Sequence, residues 1–421
     1  MRIYPACVVA LSLAAALPGR AVAQDLRGGE LRINQVTAGD QLFSDVAVSA
    51  NGDFVAVWLQ GSNLAQGALE VRARQFHADG RAKGRDRLVA RIASYPFGLP
   101  RVAADAAGRF LVVWVAPPAP PGRISRVFGQ RFDSSGGPLG SRFSVRASEL
   151  SQNNPDVAMT GDGRAVLVWE NATGRVDPEG VSIVDVYARR LGSDGRFAGA
   201  AFVAVPDGEI PRVALRVDGG FAIASQIYGF ESSFYDIYLS LYAADDGVLR
   251  EPFEISAGAT RNVSQVESAI AIANDGRIFV AWTDFAGDSS VPGSSGDDIR
   301  GVVAQRFAPD GTPMGDNFRV NTFFKGSQSA PSVVATPRGG FLVAWTTGAS
   351  QDGDDDGIFA RHFAADGRRL GNEIRMNLGR DGRQWGVALD IAANGRGVAA
   401  WRGPDGDKFG IFARRLAPPE P

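Results

Sequence analysis

Three residue types are scarce in this chain, and each scarcity removes a class of chemistry. Among 421 residues there is one cysteine, Cys7, and two histidines, His77 and His362. Histidine-rich metal sites and most imidazole acid–base schemes are therefore excluded, as is a disulfide framework. Lysine occurs only at 83, 325 and 408, so no basic block exists to hold phosphates, and nucleic acid is not an expected partner. Beyond the first residues no apolar run is long enough to cross a bilayer, and no membrane insertion is expected. What remains is rich in glycine (52) and phenylalanine (25), with 45% apolar residues, enough to build a large core.

Residues 1–23 carry Arg2, the apolar run ACVVALSLAAALP and then AVA before Gln24. Such a layout reads as a cleavable secretory signal, since the run falls short of the ~20 residues a membrane span needs. Its removal takes Cys7 with it. The expected product starts near Gln24, lacks any thiol and is secreted or periplasmic; 417–421 reads as a disordered tail.

Internal similarity decides the architecture. The segments GDFVAVW, GRFLVVW, GRAVLVW, GGFAIAS, GRIFVAW, GGFLVAW and GRGVAAW end at Trp58, Trp114, Trp169, Ser225, Trp282, Trp345 and Trp401, spaced by 56, 55, 56, 57, 63 and 56 residues. An aliphatic residue stands twelve positions before each end point: Val46, Val102, Val157, Val213, Ile270, Val333 and Leu389. Each repeat holds four strand-like stretches punctuated by Asp-Gly or Asn-Gly turns, which are antiparallel hairpin signals. The second stretch is apolar throughout, so both its faces should be buried between stacked sheets. The glycine of each first hairpin calls for positive φ.

The resulting expectation is an all-β, seven-bladed β-propeller of four-stranded antiparallel blades over 24–416. Repeat seven stops at Leu416 after its third strand, while Glu30-Leu31-Arg32-Ile33-Asn34 matches the fourth strand of the other repeats. The N-terminal strand is thus expected to close the ring and cover two sheet edges. The pattern Gln-x-x-Pro-x-Val-Ala followed by Asp-Gly-x-Phe-x-Val-x-Trp resembles repeats of secreted bacterial β-propeller proteins, some of them adhesin-like. That resemblance implies a secreted propeller module and transfers no catalytic residues.

Repeated side chains have packing explanations first. Each Trp suits the space between neighbouring sheets, and Ser225 marks repeat four as looser or specialised. Gln41, Gln152, Gln265, Gln328 and Gln384 recur five residues before the first strand and suit ties to adjacent backbone. The connections after the Trp and after the fourth strand are long and variable, and in an up-and-down blade both fall on one face. Variable loops on a rigid scaffold are where binding usually lives. Their aromatic residues Phe43, Tyr95, Phe97, Tyr228, Tyr235, Phe323, Phe324 and Trp385 suit carbohydrate or protein recognition. Asp352-Gly-Asp354-Asp-Asp356-Gly opens like a calcium loop, although Phe363 stands where an EF-hand needs Glu. Asp352, Asp354 and Asp356 are the candidate Ca²⁺ ligands; Asp284, Asp288, Asp297, Asp298, Asp405 and Asp407 are lesser ones.

Catalytic motifs are missing: there is no Gly-x-Ser-x-Gly, no His-Glu-x-x-His and no phosphate loop. The leading reading is a secreted, monomeric, non-enzymatic module that binds a polysaccharide or extracellular protein through the variable loops. The enzyme alternative, a glycan hydrolase or lyase, draws on loop acids such as Glu170, Asp177, Glu231, Asp236 and Asp284. A third reading is a structural cell-surface module. Geometry separates them: an enzyme needs several acids and a Tyr or Arg converging in a concave pocket, whereas a flat aromatic face favours binding.

Overall fold

The computed structural model describes residues 26–61, 68–93, 98–116, 124–145, 148–177, 180–229, 234–256, 263–285, 300–348, 351–379 and 381–417. The regular elements within them are all β-strands. Repeats two to six each form one four-stranded antiparallel sheet in sequence order, as in Gln328–Ala335, Phe341–Thr347, Gly357–Phe363 and Arg369–Arg375 of repeat six. Repeats one and seven lie in an eight-stranded sheet, whose two groups of four meet in a single parallel pair, Asp40 with Phe409. In the repeat-seven group the fourth strand is the N-terminal Leu26–Arg32, antiparallel to Phe409–Leu416 with Leu31 opposite Ala413. The first-hairpin glycines adopt φ between 78° and 91°, as the turns demanded.

Stacking of neighbouring sheets makes the core. The all-apolar second strand of each repeat faces the sheet on either side, and its terminal Trp is buried against the preceding repeat. Trp345 packs with Phe279 and Ala281, Trp401 with Leu342 and Ala344, and Trp58 with Ala388, Val398 and Ala400 across the junction of repeats seven and one. In repeat four Ser225 is buried in place of the Trp, while Tyr242 keeps the stack on Phe221 (4.7 Å) that Phe76 and Phe132 make on Phe54 and Phe110. Its hydroxyl donates to the Ala204 carbonyl of repeat three.

Gln41, Gln328 and Gln384 donate to backbone carbonyls two and three residues upstream, and each has a further partner the sequence left unnoticed. Asn321 and Asn377, just after the fourth strands, each donate to the glutamine seven residues on (Gln328 and Gln384, 2.8 and 2.9 Å). Their Oδ1 atoms accept the N–H of Val302 and Ile358. Asn34 repeats this clasp after the N-terminal strand, accepting Ile411 N–H at 2.8 Å and donating to Gln41 at 2.8 Å. One buried amide thereby joins the two ends of the chain.

Seven first strands line the centre: Asp40–Val48, Arg101–Ala104, Gln152–Met159, Gly208–Leu215, Gln265–Ile272, Gln328–Ala335 and Trp385–Ile391. In all but Arg101–Ala104 the register slips three residues before the aliphatic position. The residues at the slips have positive φ: Phe43 (53°), Asn154 (43°), Ile210 (46°), Glu267 (56°), Ala330 (50°) and Gly386 (72°). A left-handed non-glycine residue costs roughly 1–2 kcal/mol and persists only where its surroundings hold it. Side chains of the preceding repeat do so here: Ile210 N–H donates to Glu170 Oε1 at 2.7 Å, and Ala330 N–H to Glu267 Oε2 at 2.9 Å. Bulges re-aim the residues beside them, and these splay the strands at one end of the centre.

Candidate functional site

Two cavities lie along the central axis. One, of about 330 Å³, is lined by residues at the start of the first strands, including Phe43, Glu267, Ala330 and Trp385, and by Arg402 just past Trp401. It therefore opens on the side of the variable connections. The other, about 390 Å³, is bounded by the ends of the same strands and the short hairpins at Asn274, Pro337 and Ala393. Asp45, Arg101 and Asp156 line both, so the layer they form stands between the two.

That layer comes from one column of the repeat, the residue before each aliphatic position: Asp45, Arg101, Asp156, Arg212, Ala269, Ser332 and Ala388. Four consecutive repeats alternate acid and base; three carry small side chains. Asp45 Oδ2 accepts Val102 N–H and Asp156 Oδ2 accepts Val213 N–H, both at 2.9 Å, so each acid is fixed by the next repeat. Ser332 does likewise for Leu389 N–H at 3.1 Å. Between the two acids, Arg101 places Nη1 4.0 Å from Asp45 and Nε 3.8 Å from Asp156. These separations are ionic but longer than a hydrogen bond, which leaves guanidinium donors available to a guest.

Burial sets the electrostatics. It pushes the Asp45 carboxyl up, partly opposed by Arg101 and by Val102 N–H. It brings Arg212 down to about 10, with the neighbouring Arg101 acting in the same direction. Glu170 is also raised by burial, but its Oε1 is occupied by Ile210 N–H and Asn154 Nδ2, so it props a bulge. Glu267 is held between Thr283 Oγ1 and Ala330 N–H. On the far side of the layer, Asp390 accepts Val48 N–H at 2.6 Å and Ile391 N–H at 2.8 Å, and burial raises it to about 7.

The described aromatic candidates make separate sets of contacts. Trp385 and Phe43 meet edge to face at 6.0 Å on the cavity wall, with the Arg402 guanidinium 4.3 Å from the indole centroid. Tyr228 and Tyr235 pair across one hairpin at 5.1 Å; Tyr235 hydrogen-bonds Glu209, and burial with that carboxylate raises the phenol to about 12. Phe323 N–H donates to Glu373, and Phe324 packs beside Arg319. Tyr95 and Phe97 lie outside the described residues, as do Glu231, Asp288, Asp297 and Asp298.

In the acidic loop, Asp352 accepts Asn377 Nδ2 at 2.8 Å, Asp354 accepts Gly382 N–H at 2.6 Å, and Asp356 lies 3.5 Å from Arg383. Among the described residues no three acid, His or Cys side chains converge as a metal ion needs. His77 is exposed on a turn near Asp53, while burial lowers His362 to about 4 and keeps it neutral. Asp177 accepts Val181 N–H in a hairpin turn, and Asp236 pairs with Ser256.

No protein-family model matches the sequence, and no curated protein matches it. Solved structures share its fold. A protein of unknown function from Dyadobacter fermentans is 12% identical with TM-score 0.53, over 95% of this chain and 100% of its own. The alpha-L-arabinanase of Penicillium chrysogenum, complexed with arabinobiose, is 12% identical with TM-score 0.52, over 93% and 99%. An ulvan lyase of a polysaccharide lyase family is 10% identical with TM-score 0.54, over 93% and 94%. These likenesses support a β-propeller-like fold, while the adhesin-like repeat family gains no support.

The expectation of a non-enzymatic binding module is corrected here. Neighbours of this fold with a named activity include glycan-active enzymes, and the acids and arginines converge in a concave cavity rather than on a flat aromatic face. Sequence reasoning missed Asp45, Arg101, Asp156, Arg212, Glu267 and Arg402. The signal was present in one column of the repeat alignment, where Asp, Arg, Asp and Arg alternate before the aliphatic position.

Proposed function

We propose that the chain is a secreted seven-bladed β-propeller over 24–416 that hydrolyses a glycan in the 330 Å³ cavity. The observation that carries this reading is the convergence of Asp45, Arg101, Asp156 and Arg212 on the cavity floor. The arabinobiose complex and the ulvan lyase bound to a glucuronate–rhamnose sulfate unit show that the shared fold accommodates sugars in other proteins. Glycoside hydrolysis needs one carboxyl that donates a proton and one that stays ionised. Asp45, raised by burial, suits the donor; Asp156, beside Arg101, suits the base or nucleophile. Elimination fits less well, because it needs a base for a ring C–H proton. Tyr235, a phenol held by Glu209 and raised to about 12, is poorly suited to that role.

The test uses the chain from residue 24 with two polymers, a linear arabinan and a sulfated rhamnose–glucuronate polysaccharide, read by released reducing ends. Hydrolysis of one is expected, with Asp45→Asn lowering kcat/KM about 10²–10⁴-fold, the usual contribution of a general acid. Asparagine retains an acceptor for Val102 N–H, so folding is preserved. Release of an unsaturated product, or no cleavage of either polymer, overturns the reading.

A further inference from the structure

We infer that the cavity takes the end of a glycan chain, so that the protein trims termini rather than cutting internally; this rests on the hydrolase reading above. The argument begins with shape. The cavity has a mouth on the variable-loop side and the charged layer at its inner end, and the second cavity beyond shares Asp45, Arg101 and Asp156 with it. An internal sugar leaves its site at two places, through the bond on either side, and so requires an open cleft. A terminal sugar leaves at one. At about 330 Å³ the space is near the lower end of the roughly 300–1,000 Å³ typical of ligand pockets, which suits a chain end.

Chemistry points the same way. A terminal residue presents neighbouring free hydroxyls, each able to donate and accept. The floor offers acceptors and donors in alternation, Asp45, Arg101, Asp156 and Arg212, and its two acids are already oriented by backbone N–H bonds from the next repeat. Opposite this arc Ala269, Ser332 and Ala388 project little into the centre. The charged arc therefore grips one edge of a ring, and the small residues leave room for its body. At the wall Trp385, backed by Arg402, supplies an aromatic surface for the next sugar outward.

The experiment follows the polymer that is cut over time, alongside the same polymer with its non-reducing termini capped as methyl ethers. End-on binding gives one short product from the first turnovers, little early fall in viscosity, and loss of cleavage on capping. A ladder of intermediate sizes with an early viscosity fall, indifferent to capping, overturns the inference while leaving the hydrolase reading intact. Absence of cleavage of the uncapped polymers overturns both. An independent readout is titration of the Asp45→Asn protein with the free terminal disaccharide of that polymer and its capped form. Binding at least about tenfold weaker for the capped sugar is expected, and equal binding overturns the inference.

Discussion

Asp390 offers a sharp test of the central electrostatics. Its half-buried carboxylate on the first strand of repeat seven is bonded to Val48 N–H of repeat one and raised from 3.8 to about 7 mainly by loss of solvent. Between those values the folded chain holds a proton that the unfolded chain has released, so unfolding loses a proton and stability falls as pH rises. The contribution is nil below pH about 4, declines by about 1.4 kcal/mol per pH unit, and levels off above about 7, having removed at most about 4 kcal/mol. Asp390→Asn carries no charge at any pH and removes this slope. Urea unfolding of both proteins at half-unit intervals from pH 4 to 8 measures the difference directly. The variant is expected to gain on the parent steadily up to pH about 7 and hold a constant lead above it. Parallel curves would show that water reaches Asp390 freely, and would refute the electrostatics assigned to the central strands.

Three further outcomes follow from the packing. Trp345→Ala removes an indole wedged against Phe279 and Ala281 and should cost about 3–5 kcal/mol by urea unfolding. Asn34→Ala leaves Ile411 N–H and the Gln41 amide oxygen without this buried partner, costing about 1–3 kcal/mol for each group. Asn377→Ala should cost a similar amount through Ile358 and Gln384; a silent Asn34→Ala beside a damaging Asn377→Ala would mean the N-terminal strand is merely appended.

Much of the fold was legible because repetition amplifies weak signals. A single Gly-x-Phe-x-Val-x-Trp is an unremarkable strand; its recurrence at a 55–63 residue spacing identifies stacked sheets, and the short seventh repeat pointed to residues 30–34, where the pairing strand runs Leu26–Arg32. The clasp was only half read. Gln328 and Gln384 stood out by position, but Asn321 and Asn377 follow the fourth strand, whose sequence varies most between repeats and hides the recurring Asn. The bulges were not legible at all. Phe43, Asn154, Ile210, Glu267 and Ala330 share no side-chain chemistry, and their left-handed backbone is imposed from the neighbouring sheet, as Glu170 does for Ile210.

The site was missed for a related physical reason. Reading for loop aromatics assumes that function sits where the repeat breaks down, in the connections. In this fold the first strands face one another across the centre, so a column that keeps its backbone role can vary freely in side chain. Asp45 and Asp156 show both halves of this: each accepts the N–H of Val102 or Val213, a packing duty that Ser332 also performs for Leu389, yet each brings a charge that Ser332 does not. Seven near-equivalent positions thereby become a polar arc of four and a small-residue arc of three. A sevenfold set of identical side chains would offer a guest no preferred orientation. Breaking that symmetry at one level, while the strands around it remain regular, gives a rigid frame with a direction, which positioning a scissile bond requires.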